Sequence, residues 1–208
     1  MRLLAIFLFA ALGLAASVGS VQAQPYIGVR VGANFEPDDS INTTGINGSG
    51  TYEPGLATSG VIGYRFGLPS NFAVSVEGEF AYRRNDIDTM SAAGFPDHHG
   101  GYTQSFIWVG NAWVSYEIGD SGFAPYIGGG GGAIHVDVLD AQIDGTSLRK
   151  EADLVLCGQV GGGLGYRLGE HVELSLDYRY LFTEPVTIQS FHIDYQSHSA
   201  MVGVKYLF

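Results

Sequence analysis

Apolar and polar residues alternate along the last fourteen residues of the chain. Counting back from the carboxy-terminus, every second position is apolar, at Phe208, Tyr206, Val204, Val202 and Ala200, while the positions between are mostly small or polar. A period of two places one set on each face of a β-strand. A strand of this kind that ends on an aromatic residue fits the lipid-facing closing strand of a membrane barrel, although a soluble sheet can show the same alternation.

The same alternation divides the rest of the chain into strand-like segments separated by turn residues. Eight segments are predicted, at 25–36, 55–66, 71–84, 102–118, 124–138, 152–168, 172–184 and 195–208. The connections alternate between short (67–70, 119–123 and 169–171) and long (37–54, 85–101 and 139–151), and the last one, 185–194, is intermediate. Short periplasmic turns opposite longer extracellular loops are typical of outer-membrane barrels. The pattern therefore predicts an all-β fold, an eight-stranded antiparallel up-and-down transmembrane β-barrel.

The polar face of these segments is predicted to point into the barrel. In the seventh segment Leu174 and Leu176 share one face, and Glu173, Asp177 and Arg179 share the other. A soluble barrel would place the apolar face inside and the charges in water. An eight-stranded membrane barrel needs the reverse, because lipid surrounds it and side chains fill its narrow interior.

The residues with inward parity include equal numbers of acids and bases. This predicted lumen network consists of Glu77, Glu79, Glu117, Asp137, Glu173, Asp177, Arg30, Arg65, Arg83, Arg167, Arg179 and Lys205. Paired charges tolerate burial far better than isolated ones. Glycines are expected to make room for the long side chains, at Gly28, Gly32, Gly63, Gly129, Gly131, Gly161, Gly163 and Gly165. We expect a lumen plugged by paired charges, with a narrow water path as the alternative.

The amino-terminus reads as an export signal. Arg2 precedes an unbroken apolar run at 3–14, and the tripeptide Val21-Gln22-Ala23 follows it, which is the order of a secretory signal peptide. The run is shorter than the roughly 20 residues of a membrane-spanning helix. We expect cleavage after Ala23, so that 1–23 is the signal peptide and 24–208 is the outer-membrane β-barrel.

Composition agrees with this interpretation and excludes some classes. Removing 23 of 208 residues leaves 185, the length of one domain; glycine occurs 31 times, aromatics make up 12% and charged residues only 15%. A barrel with aromatic girdles fits these values better than a soluble β-sandwich does. The net charge of −11 makes nucleic acid an improbable partner. A single cysteine, Cys157, excludes an intramolecular disulfide.

These features resemble the outer-membrane β-barrel domain family of small porin-like surface antigens, opacity proteins and the membrane half of OmpA. The resemblance lies in the signal peptide, the Pro-Tyr-Ile-Gly-Gly-Gly opening of the fifth segment at 125–130, and the closing Gly-Val-Lys-Tyr-Leu-Phe at 203–208. It implies location in the bacterial outer membrane and insertion by the barrel-assembly machinery, which reads the final aromatic residue, here Phe208.

No catalytic, cofactor or metal site is predicted. The glycine runs at 128–132 and 161–165 lack the Gly-Lys-Ser/Thr and the following helix that bind phosphate. His98 and His99 in the second long loop, and His192 in the fourth, lack the spacing of a known zinc site. His135 is assigned to the lumen network together with Asp137.

Three functions remain open. A surface antigen or adhesin would bind a host or matrix ligand through its loops, a small channel would conduct ions, and a lipid A-modifying enzyme could use His198 as a general base. The first is favoured, because a filled lumen leaves little transport capacity. The enzyme is disfavoured, because Ser197 and Ser199 have the opposite parity to His198. The long loops are acidic, which suggests the hypothesis that their contact with lipopolysaccharide and other outer-membrane lipids depends on Ca²⁺ or Mg²⁺. The alternative is that the acidic loops only keep the surface hydrated.

Overall fold

The structure is a computed structural model. It describes residues 23–37, 39–43, 46–92, 101–143, 146–151, 154–183, 186–188, 191–193 and 195–208, with side chains at 23–37, 53–86, 101–137, 154–183 and 195–208. The predicted signal peptide therefore lies outside the described residues except for Ala23. Among the described residues, no helix has the length and apolar character needed to cross a membrane.

Among the described residues, eight long strands close into an antiparallel barrel, three short strands extend its sheet, and two further short strands pair only with each other. In chain order the strands are β1 (Ala23–Phe35), β2 (Asp39–Thr43), β3 (Ile46–Tyr52), β4 (Gly55–Gly67), β5 (Phe72–Ala92), β6 (Tyr102–Tyr116), β7 (Phe123–Ile143), β8 (Thr146–Glu151), β9 (Val155–Leu168), β10 (Val172–Thr183), β11 (Val186–Ile188), β12 (Phe191–Ile193) and β13 (Gln196–Leu207). The barrel order is β1, β4, β5, β6, β7, β9, β10 and β13. Pairing of β1 with β13, from Tyr26 opposite Leu207 to Phe35 opposite His198, closes the barrel and confirms the predicted fold.

The two rims differ as predicted, but the longer connections hold more strand than expected. Tight turns join β4 to β5, β6 to β7 and β9 to β10, and Ser70 and Asn71 take the left-handed backbone that a hairpin turn needs, with φ of 65° and 64°. At the other rim β5 continues to Ala92 and β7 to Ile143, beyond the predicted strand ends at 84 and 138. The reason is pairing, because β3 extends the ladder of β5 and β8 extends that of β7.

Side chains alternate between a lipid face and a lumen face. Leu176 is 60% exposed and Val204 is 42% exposed, whereas Glu173 and Asp177 are buried inside the barrel. Outward-facing aromatic residues form a lower girdle near the short turns, at Tyr64, Phe72, Tyr116, Phe123, Tyr166, Tyr206 and Phe208. An upper girdle lies nearer the long connections, at Phe35, Phe80, Trp108, Tyr178 and Phe182. Two aromatic girdles around an apolar band match the two interfaces of a membrane.

Candidate functional site in the barrel lumen

Glu77 is the centre of the most enclosed part of the lumen. Its carboxylate accepts two hydrogen bonds from Nη2 of Arg30, at 3.0 and 3.1 Å, and one from the hydroxyl of Tyr26 at 3.0 Å. Nε1 of Trp113 donates a fourth, at 3.3 Å. The three donor residues lie on β1 and β6, so this carboxylate links its own strand, β5, to the adjacent β6 and, across the lumen, to β1.

Glu79, two residues further along β5, is held by amide groups. Asn111 Nδ2 and Gln159 Nε2 both donate to its Oε2, at 2.8 and 2.9 Å. Arg30 Nη1 approaches Oε1 at 3.6 Å, which links this carboxylate to the Glu77 group. Neutral donors thus satisfy a second buried acid without a further cation.

Asp177 on β10 completes the central group. It accepts hydrogen bonds from Tyr126 and Arg179, each at 2.5 Å to Oδ1, and from Ser175 at 2.6 Å to Oδ2. The guanidinium of Arg179 also lies 3.8 Å above the ring of Trp113, a cation–π contact. We call Arg30, Glu77, Glu79, Asp177 and Arg179 the central cluster.

A second group of charges lies nearer the short turns. Nη2 of Arg65 donates a hydrogen bond to Oε1 of Glu117, and its Nη1 lies 3.8 Å from Oε2 of Glu173. Nη2 of Arg167 lies 3.7 Å from Oε1 of Glu117, and Nζ of Lys205 donates a hydrogen bond to Oε1 of Glu173 at 3.0 Å. We call Arg65, Glu117, Arg167, Glu173 and Lys205 the periplasmic cluster. Its outermost side chains, Glu117 and Arg167, remain 42% and 32% exposed.

A small cavity separates the two clusters. Its volume of about 20 Å³ is enough for a single water molecule. The lining residues are Arg30, Arg65, Ser75, Trp113, Ser115, Ala124, Tyr126, Glu173 and Lys205.

On the other side of the central cluster, the lumen becomes partly apolar. Arg83 donates to the hydroxyl of Ser197 and lies beside a buried group formed by Ala81, Ile107, Val109, Ile134, Cys157 and Leu181. The inward parity of Ile107 and Val109 in the sequence was the signal for this group.

Asp137 differs from its predicted place. Ile134 points inward and is fully buried, so the alternation on β7 turns His135 and Asp137 outward. There Asp137 pairs with His135 at 3.0 Å and accepts from Gln104 at 3.2 Å, at the outer rim. The prediction that Asp137 and His135 belong to the lumen network was wrong by one step of strand parity.

Some of the glycines make room for large inward side chains. A Cβ on Gly63 would lie 2.6 Å from the ring of Tyr26, and one on Gly163 would lie 2.6 Å from the hydroxyl of Tyr126. Gly129 is different, since it has the outward parity of Ile127, and so has Gly131. The sequence interpretation missed Tyr26, Trp113, Tyr126, Asn111 and Gln159, although all have inward parity.

The other candidate chemistry does not converge on one place. Nδ1 of His198 lies 2.7 Å from the hydroxyl of Tyr178, and its ring stacks on Tyr180, while Ser197 and Ser199 are buried in the lumen. Within the described side chains there is no group of three or more His, Cys, Asp or Glu that could hold a metal. His98, His99 and the side chain of His192 lie outside the described residues.

Comparison with protein families identifies the chain. The family model described as the outer membrane protein beta-barrel domain matches residues 4–208. The chain belongs to this family. Its location is therefore the bacterial outer membrane, where the exposed apolar band of the barrel contacts lipid. No curated relative matches the chain.

Solved structures show the same fold at low sequence identity. Neisserial surface protein A is 14% identical, with a TM-score of 0.54, and the match covers 90% of this chain and 99% of that one. Ail of Yersinia pestis, in complex with the heparin analogue sucrose octasulfate, is 14% identical with a TM-score of 0.51 over the same shares. OprG of Pseudomonas aeruginosa is 14% identical with a TM-score of 0.50, covering 90% and 97%.

Proposed function

We propose that this outer-membrane barrel conducts no ions and acts at the cell surface, where its outer hairpins bind a ligand. The observation that supports a non-conducting barrel is the burial of the central cluster, whose five charged side chains are at most 2% exposed. An open channel would leave its lumen charges in water. These charges instead contact one another and the aromatic donors Tyr26, Trp113 and Tyr126 directly.

The contacts explain how the three acids of the central cluster tolerate such burial. Each carboxylate accepts two or more hydrogen bonds. The guanidinium nitrogens of Arg30 also lie within ion-pair distance of all three acids, at 3.0 Å from Glu77, 3.6 Å from Glu79 and 3.5 Å from Asp177. Buried charges are costly unless paired and hydrogen-bonded. Passage of an ion through this network is unfavourable, because the ion would have to displace several existing hydrogen-bond and ion-pair partners.

The surface role is supported by the shape of the outer rim. The continued ends of β5 and β7, together with the β2–β3 and β7–β8 pairings, carry the sheet beyond the barrel. Hairpins on a rigid scaffold are common sites of binding. We infer that a host or matrix ligand binds there, and that the many acids of these hairpins pack beside lipopolysaccharide through Ca²⁺ or Mg²⁺.

Conductance in planar lipid bilayers tests the non-conducting half. The refolded barrel should add no discrete conductance steps, because its central charges are paired. A wild-type preparation that gives reproducible steps, and an empty-detergent control that gives none, would reject this half of the proposal.

Binding of whole cells tests the surface half. Cells that display the wild-type barrel should adhere to host matrix better than cells whose β2–β3 hairpin, 39–52, is replaced by a Gly-Ser linker. Equal surface amounts are verified by surface biotinylation, and folding of both barrels by heat-modifiable gel mobility. Equal adhesion of both strains to every matrix component would argue against a ligand at this hairpin.

We also propose that the chain is exported and assembled in the usual way for its family, with cleavage after Ala23 and recognition of Phe208 by the barrel-assembly machinery. Mass spectrometry of the mature protein should give Gln24 as the first residue. Deletion of Phe208 should lower the amount in the outer membrane, whereas Phe208→Tyr, which keeps an aromatic ring, should not.

A further inference from the structure

We propose that water enters the lumen from the periplasmic rim only, because a dry layer of side chains closes its outer half. This inference rests on the proposed non-conducting barrel and says which part of the lumen blocks water and ions. We call the dry layer of side chains the outer layer. It has an apolar part and a polar part.

The apolar part comes from five neighbouring strands. It consists of Ala81 on β5, Ile107 and Val109 on β6, Ile134 on β7, Cys157 on β9 and Leu181 on β10. All six are at most 6% exposed, and Ile134 and Leu181 have no exposed surface. Tyr195 packs against this group and donates to Glu36 at 2.9 Å. A packed apolar group of this kind holds no water.

The polar part lies on β1, β5 and β13 and is held by direct hydrogen bonds. Asn34 Nδ2 donates to Asn85 Oδ1 at 2.7 Å, and Ser199 donates to Asn34 Oδ1 at 2.7 Å. Arg83 donates to Ser197 beside them. Direct contacts of this length leave no space for a water between the partners. The outer layer thus combines a packed apolar group with directly hydrogen-bonded polar side chains, and we infer that the two together close the lumen.

The opposite end of the lumen is less enclosed. Side-chain exposure rises from zero at Asp177 to 13% at Lys205 and 42% at Glu117. The cavity with space for one water lies between the central and periplasmic clusters, on the periplasmic side of the outer layer. The lumen is therefore a blind pocket whose mouth is the periplasmic rim.

One consequence separates this inference from a simple plug of charges. If the outer layer is the barrier, weakening an ion pair of the central cluster leaves the lumen closed to the outside. Removing apolar volume from the outer layer opens it.

Cys157, the single cysteine of the chain, reports on the outer layer without any mutation. We would measure its reaction with a small charged methanethiosulfonate by mass spectrometry, with the full barrel in lipid nanodiscs that leave both ends accessible. Two matched reporters are each made in a Cys157→Ala background. Ser115→Cys lines the cavity, and Ser105→Cys lies on the same inward face of β6 as Ile107, two residues nearer the long connections.

Ser115→Cys should react at least about tenfold faster than either Cys157 or Ser105→Cys, because a thiol enclosed in packed protein reacts only when the structure opens locally. Cys157 or Ser105→Cys reacting as fast as Ser115→Cys would overturn the inference. So would a slow Ser115→Cys, since the pocket would then be closed to the periplasm as well.

Two further variants with native Cys157 test the origin of the barrier. Leu181→Ala should speed the reaction of Cys157 about tenfold or more by creating a cavity beside it, whereas Glu77→Gln should leave it unchanged. If Leu181→Ala loses heat-modifiable mobility, Ile107→Val replaces it. Faster reaction in Glu77→Gln alone would place the barrier in the central cluster. A wild-type barrel that conducts rejects the proposed function, whereas a silent barrel with a fast Cys157 rejects only this inference.

Discussion

The central and periplasmic clusters are built from the same residue types but lie in different surroundings. In the central cluster Arg30 and Glu77 are at most 1% exposed, and aromatic or amide side chains satisfy each acid. In the periplasmic cluster Arg167 pairs with Glu117 at 3.7 Å while both remain partly exposed. Bulk water reaches the second cluster and can replace a lost partner there, whereas the first cluster borders only a cavity for a single water.

This difference means that the number of ion pairs says little about stability. Exposed pairs contribute about 0–1 kcal/mol, because water screens them and long side chains lose freedom. A buried pair is different, since removing one partner leaves an unpaired charge in a medium of low dielectric constant. Variants of the two clusters that differ by one side chain therefore test the comparison directly.

The largest expected effect follows from removing Glu77. Glu77→Ala leaves Arg30, Tyr26 and Trp113 without their shared acceptor, so the free energy of unfolding should fall by about 3–5 kcal/mol. Urea titration of the barrel refolded into lipid vesicles, followed by tryptophan fluorescence, measures this value. A loss below about 1 kcal/mol, the size expected for an exposed pair, would remove the distinction between the clusters.

The next effect compares two glycines on β9 that face the two clusters. A Cβ on Gly163 would lie 2.3 Å from the carbonyl oxygen of Leu176, which cannot move freely, so Gly163→Ala should cost about 1–3 kcal/mol through overpacking. A Cβ on Gly165 would lie 3.2 Å from the carboxylate of Glu173, which can shift. Gly165→Ala in the same urea titration should therefore cost less, and equal losses would show that the periplasmic cluster is as rigid as the central one.

The sequence was sufficient for the fold because strand parity and connection length are local patterns. The alternation of Leu174 and Leu176 with Glu173 and Asp177 persists through β10. Because lipid surrounds the barrel and its lumen is narrow, the apolar face of the strand must point outward and the charged face inward. The continued ends of β5 and β7 were missed, because their pairing with β3 and β8 depends on contacts across the sheet rather than on a turn signal in the chain.

The site was harder to predict, because parity shows on which face of a strand a side chain lies but not which side chains it contacts across the lumen. Asp137 is one case, since a single step of parity on β7 separates its place at the outer rim from the lumen position that the sequence predicted. Trp113 is a second case, because its inward position was visible in the sequence, whereas its contacts with Glu77 and Arg179 depend on how three strands, β5, β6 and β10, meet across the barrel.

The smallest effect is expected at the periplasmic rim. Glu117→Gln removes the charge that Arg65 and Arg167 contact, but all three side chains reach water or a second partner, so the free energy of unfolding should fall by about 1 kcal/mol or less. Salt should shrink this loss further, since the Debye length is about 3 Å at 1 M ionic strength. Urea titrations of wild type, Glu117→Gln and Glu77→Gln at low and high salt provide the measurement. Only the Glu117→Gln loss should depend on salt, because the central cluster is shielded from ions; a salt-dependent loss in Glu77→Gln would mean that ions reach the centre of the lumen.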